Sequence, residues 1–246
     1  MKKIKQRIIN KLKSIILDCY REKEWIKEPD MNFQRRIAVK EAIFNVSTAT
    51  RYETESVQNS HSLKGDYMEF GVFQGAMFKF VLSEAGCKMP WMRFFACDSF
   101  EGLPKPKGID ANAEFVEGQF SCPENEFMEN ISGHSVDNGR IITVPGWFDN
   151  SLKEENLIQH QIKIVSLAYV DCDFYESCVS VLSFLTTRVR RGSIIMFDDW
   201  FCFKADPNRG IQLAVSEWLK KNQNIELIPW QSFSSHGKSF FVNLHE

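Results

Sequence analysis

The chain has 246 residues, 43% hydrophobic and 25% charged, with a formal net charge of −2. That profile fits one folded α/β domain with an added segment, and no apolar run approaches the roughly 20 residues of a membrane-spanning helix. The small net charge hides a split: residues 1–40 carry twelve Lys/Arg against five acids, a net of +7, which leaves −9 on the rest. An acidic body repels phosphates and so excludes a general nucleic-acid binder.

The basic opening, Met1 to Asn10, lacks a continuous apolar stretch and a small-residue cleavage site, so no secretory signal is read there. Seven scattered cysteines without a CxxC pair give no zinc or redox motif and fit a reducing cytoplasm. Ile4, Ile8, Leu12, Ile15 and Ile16 recur at helical spacing, which predicts an amphipathic helix over residues 3–20. Such a helix packs on the body or on a partner subunit of a homo-oligomer, or makes a peripheral contact with anionic lipid through residues 1–20. A second helix is expected from Phe33 to Val46, followed by a polar, turn-prone stretch from Ser47 to Gly65 suited to a lid. Residues 1–62 are thus read as an N-terminal helical segment and residues 63–246 as the main domain.

From Asp66 onward strands and helices alternate. Strands are expected at Asp66–Gly71, Met92–Asp98, Arg140–Val144, Ile164–Asp171, Ser193–Asp198, Ile225–Ile228 and Ser239–Leu244. Helices are expected at Gly75–Gly86, Tyr175–Arg190 and Arg209–Asn222, with a long insertion from Ser99 to Gly139. Near-continuous apolar strands between helices predict a doubly wound, mostly parallel seven-stranded sheet covered on both faces, with an N-terminal helical extension. The last two strands have no helix between them, which predicts an antiparallel hairpin at one edge.

In such sheets ligands bind beyond the carboxyl ends of the strands. Those ends carry Glu69 with Gly71 and Gly75, then Asp98, Pro145–Phe148, Asp171 with Asp173, and Asp198 with Asp199. Glu69 stands where the dinucleotide fingerprint needs a glycine and would repel a pyrophosphate; a carboxylate there suits a cofactor with a cationic end. Asp98 is placed to accept hydrogen bonds from a ribose diol, with Ser99 beside it. A nucleoside with a positive charge and no phosphate describes S-adenosylmethionine.

Glu69-Phe-Gly-Val, Asp98-Ser-Phe-Glu-Gly-Leu-Pro104, Val144-Pro-Gly-Trp-Phe148, Asp171-Cys-Asp-Phe-Tyr-Glu-Ser177 and Asp198-Asp-Trp200 together resemble the successive motifs of the macrocin O-methyltransferase family, over about Asp66 to Leu244. The resemblance implies a class I S-adenosylmethionine-dependent, Rossmann-like fold and methylation of a sugar hydroxyl. It also implies a divalent cation, usually magnesium, held by Asp171, Asp198 and Asp199, with Asp173 as general base. Phe73-Gln-Gly-Ala76, Ser151 and Trp200 depart from the usual family residues, and residues 1–50 show no match.

The chemistry of the residues agrees with that implication. Three hard carboxylates favour magnesium or manganese over zinc, and a metal-bound diol would lower the barrier to deprotonating a weakly acidic hydroxyl. Trp147 is a candidate for stacking on adenine, Phe73, Phe78 and Phe120 for lining a pocket, and His236 for facing a small-molecule or glycan acceptor. His134 and His160 read as solvated. The rival readings are a metal-dependent glycosyltransferase using the DxD, and a non-catalytic scaffold on the same fold.

Overall fold

The computed structural model describes residues 31–51, 53, 62–111 and 115–245. The helix expected over residues 3–20 and residues 52 and 54–61 of the candidate lid lie outside the described residues. Helix α1 (Met31–Arg51) runs further than the expected Phe33–Val46. Its buried stripe, Ala38, Val39, Ala42, Ile43 and Val46, continues to Thr50, whose hydroxyl donates to the Val46 carbonyl at 2.7 Å. That back-bond hides a polar side chain without breaking the helix, which is why the polar composition after Val46 misleads.

The seven strands are β1 (Asp66–Phe70), β2 (Phe94–Asp98), β3 (Ile141–Pro145), β4 (Val165–Val170), β5 (Ile194–Phe197), β6 (Ile225–Phe233) and β7 (Gly237–Leu244). They form one sheet in the order β3-β2-β1-β4-β5-β7-β6. Strands β1 to β5 are parallel, and β7 runs antiparallel to β5 and β6, as the missing crossover helix predicts. Helices α2 (Ala76–Ala85), α3 (Glu124–Asn130), α4 (Tyr175–Leu185) and α5 (Gly210–Lys221) complete the main elements. Helix α4 stops short of the expected Arg190 because the chain turns to bury Val189 and to bond the Arg190 N–H to Ser193 Oγ at 2.9 Å.

Side-chain alternation along the strands divides the core into two layers. Met68, Phe70, Ala168, Val170, Ile195 and Phe197 pack with α4 and α5. Tyr67, Leu167, Tyr169, Ile194 and Met196 pack with α1 and α2. The same alternation puts Glu69, Asp171 and Asp198 on the α1 side. Chain order reverses between β1 and β4, so the crevice at their carboxyl ends is the switch point where this architecture takes ligands. The insertion carries α3 and folds over that end, with Phe120 edge-on to Phe73 at 5.6 Å and Phe115 edge-on to Phe174 at 5.8 Å.

Candidate active site

One cavity of about 1270 Å³ opens at the carboxyl ends of the parallel strands, walled by the strand-end loops, the insertion and the first turns of α1. Glu69, Gly71, Asp98, Ser99 and Trp147 line one part of its wall, and Asp171, Asp173, Asp198 and Asp199 another. Phe73, Phe120 and His236 also line it. Gly75 does not. Its φ of 81° begins α2, and a Cβ there would lie 2.6 Å from Ile131 and 2.9 Å from Phe127, so the missing side chain leaves room for the insertion helix α3. Phe78 is fully buried between Tyr67 and Phe127, a core residue rather than a pocket one. His160 packs edge-on against Phe95.

Glu69 is 2% exposed and accepts a short hydrogen bond from the Tyr67 hydroxyl, two residues back on the same face of β1. Burial pushes its carboxyl up to about 8, against the Tyr67 bond and with help from Asp98 and Asp198. The folded protein then holds a proton that the unfolded chain, at the ordinary value of 4.5, releases earlier. Stability from this group is full below the unfolded value and is lost as pH rises through about 8. Asp199, pushed up to about 7 by burial and Asp198, acts with the same sign. The ligand-free thermal midpoint is therefore expected to fall as pH rises from about 4.5 to about 8, less steeply in Glu69→Gln. Superimposable profiles for the two proteins would show that Glu69 is not a titrating group.

Gly71 follows β1 with φ 89°, and a Cβ on it would lie 1.8 Å from the Asp171 carbonyl oxygen, so the ends of β1 and β4 meet only across a glycine. Asp98 is already in use. Its Oδ2 accepts the Val72 and Phe73 N–H groups at 2.7 and 3.3 Å, and its Oδ1 accepts the Phe100 N–H at 2.8 Å and Ser99 Oγ at 3.4 Å. This carboxylate therefore orders the turn after β1. The two long bonds are the ones that ribose hydroxyls can replace at little cost.

Oxygens of Asp171, Asp198 and Asp199 lie within 4.8 Å of one another. Burial and the surrounding acids raise the carboxyls of Asp171 and Asp173 well above the ordinary range. Asp173 sits at φ 57°, a left-handed conformation, and its N–H donates to Asp199 Oδ2 at 3.2 Å. The donor set is hard oxygen, and the nearby Cys202 thiol is pushed up by burial and Asp199, to which it donates at 3.5 Å. A neutral thiol beside three carboxylates fits magnesium or manganese rather than zinc.

Arg35 and the two tyrosines at this end of the sheet are absent from the sequence expectation. Arg35, on α1, grips Asp198 with both prongs: Nε donates to Oδ1 at 2.7 Å, and Nη2 makes a short bond to Oδ2. Tyr169 Oη also donates to Oδ1 at 2.7 Å. Burial opposes the Arg35 charge, yet Asp198 outweighs it and holds the guanidinium above its ordinary value. Asp198 thus already carries one cation.

Strand order, crossover helices and the acid-rich crevice at the switch point define a class I methyltransferase fold. Two solved structures share it. The O-methyltransferase NovP superposes with a TM-score of 0.61 at 20% identity, covering 81% of this chain and 78% of its own. The calicheamicin methyltransferase CalS11 does so with a TM-score of 0.62 at 22% identity, covering 83% and 77%. The profile described as "Macrocin-O-methyltransferase (TylF)" matches residues 45–227, and the chain belongs to that family. A curated relative, the 8-demethyl-8-(2,3-dimethoxy-alpha-L-rhamnosyl)-tetracenomycin-C 4'-O-methyltransferase of Streptomyces olivaceus, is 28% identical over 146 residues, which cover 55% of this chain and 53% of the relative. The match therefore spans about half the length of that relative.

Proposed function

We propose that the protein is an S-adenosylmethionine-dependent O-methyltransferase acting on a sugar hydroxyl of a glycan, a glycosylated natural product or a nucleotide sugar. The observation that carries this reading is the meeting, in one cavity, of the Glu69, Gly71 and Asp98 turn with the Asp171, Asp198 and Asp199 cluster. Family membership supports it, and the Streptomyces relative is named for methylating a rhamnosyl-bearing tetracenomycin.

S-adenosylmethionine supplies an electrophilic methyl group, and magnesium or manganese, held by Asp171, Asp198 and Asp199, supplies Lewis acidity toward a sugar hydroxyl. Glu69, which burial keeps protonated without a ligand, would give up its proton beside a cationic end and then offer the counter-charge. Gly71 would let the backbone come close to the cofactor, Asp98 and Ser99 would hold its ribose, and Trp147 would stack on its adenine. Asp173, beside Asp199 on the cavity wall, takes the proton of the acceptor hydroxyl. Phe73, Phe115 and Phe120 wall the cavity with apolar surface and reduce the water within it.

With S-adenosylmethionine, magnesium and a panel of sugars presenting vicinal hydroxyls, S-adenosylhomocysteine is expected to form with at least one acceptor. Formation is expected to stop when EDTA removes the cation and to return when magnesium is restored. Turnover indifferent to EDTA would take the cation out of the reaction.

A further inference from the structure

The Arg35–Asp198 pair spans 163 residues and joins α1 to the end of β5. Asp198 is 1% exposed, and a carboxylate offers about four lone-pair sites, of which Arg35 and Tyr169 fill three. Helix α1 is anchored unevenly. Residues 38–46 are pinned by their buried stripe, and Gln231 Nε2 reaches the Ala38 carbonyl at 3.5 Å. The turns before Ala38 are half-buried or exposed, Asn32, Arg35 and Arg36 lie on the cavity rim, and Arg36 rests over the Phe80 ring at 5.7 Å, so Arg35 supplies one of several holds on this end and the only one that reaches Asp198 among the described residues. A guanidinium and a dication on one buried carboxylate repel each other, because the surroundings screen them poorly.

We propose that Arg35 is a tethered cation that occupies Asp198 while no divalent ion is bound, so that loading the ion withdraws the Arg35 fork and frees the first two turns of α1 from the cavity rim. The proposal rests on the cation reading above and adds to it a competitor carried by the chain itself. It ties ion loading to the hold on α1 at the cavity rim.

Manganese titration of the full-length protein by calorimetry tests it. Arg35→Gln is expected to bind the ion roughly tenfold or more tighter than the wild type, with Arg35→Lys, which keeps the charge but loses the fork, in between. Equal or weaker binding by Arg35→Gln, with a wild type that does bind, would overturn the competition and leave the cation reading intact. No manganese uptake by either protein would overturn both. A second measurement needs no variant: manganese is expected to speed deuterium uptake at the amides of residues 35–38 of the wild type, and unchanged uptake there would refute the release of α1.

Discussion

Asp173→Asn is expected to lower kcat by roughly 10²- to 10⁴-fold, the usual worth of a positioned general base. The substitution is chosen for what it leaves alone. Asparagine tolerates the left-handed φ of 57° and keeps the N–H that donates to Asp199, so the turn after β4 should persist. An amide cannot take the hydroxyl proton, yet it fills the same volume. The substitution also removes a carboxyl whose charge is opposed by burial, Asp199 and Asp198, so the thermal midpoint is expected to hold or rise. Binding of S-adenosylmethionine should change by no more than about twofold, because the lost interaction belongs to the transition state. A kcat within about tenfold of the wild type would assign the proton to another group.

Gly71→Ala is expected to cost on the order of 3–5 kcal/mol, a fall of roughly 10 °C in thermal midpoint for a chain of this size. Two penalties add. An L residue at φ 89° is strained, and its Cβ would lie 1.8 Å from the Asp171 carbonyl oxygen, so the ends of β1 and β4 must part. Parting them also moves Asp171, so weaker cofactor and cation binding should accompany the lost stability. Gly118→Ala separates the two effects: its φ is 77°, but no atom lies within 4 Å of the added Cβ, and about 1 kcal/mol is expected. Equal losses at the two positions would mean that the close approach of the strands contributes nothing.

Apolar continuity made the sheet legible. Val165–Val170 and Ile194–Phe197 are buried along their whole length, and the lack of a helix before the last strand announced the antiparallel edge. The acids at the strand ends were legible because position alone brings them to one rim. Phe78 marks where the pattern stops: a phenylalanine in a helix looks the same whether it faces a pocket or a packed neighbour, and here Phe127 of the insertion packs against it. Arg35 depends on a contact between distant elements, so no local pattern displays it. One signal was present. Extended backward, the Ala38, Val39 and Ala42 stripe reaches Arg35, and a charge at a core-facing helical position requires a buried partner of opposite sign. Tyr67 and Tyr169, inside buried strands, likewise require acceptors for their hydroxyls, and Glu69 and Asp198 provide them.

The central claim is that the crevice between β1 and β4 holds S-adenosylmethionine beside a divalent cation. Calorimetric titration of the full-length protein with S-adenosylmethionine in the presence of magnesium tests it most directly, with a nucleotide sugar titrated in parallel. Saturable binding of one S-adenosylmethionine per chain, weakened by Gly71→Ala, is expected. No binding of S-adenosylmethionine, together with cation-dependent binding of the nucleotide sugar alone, would contradict it.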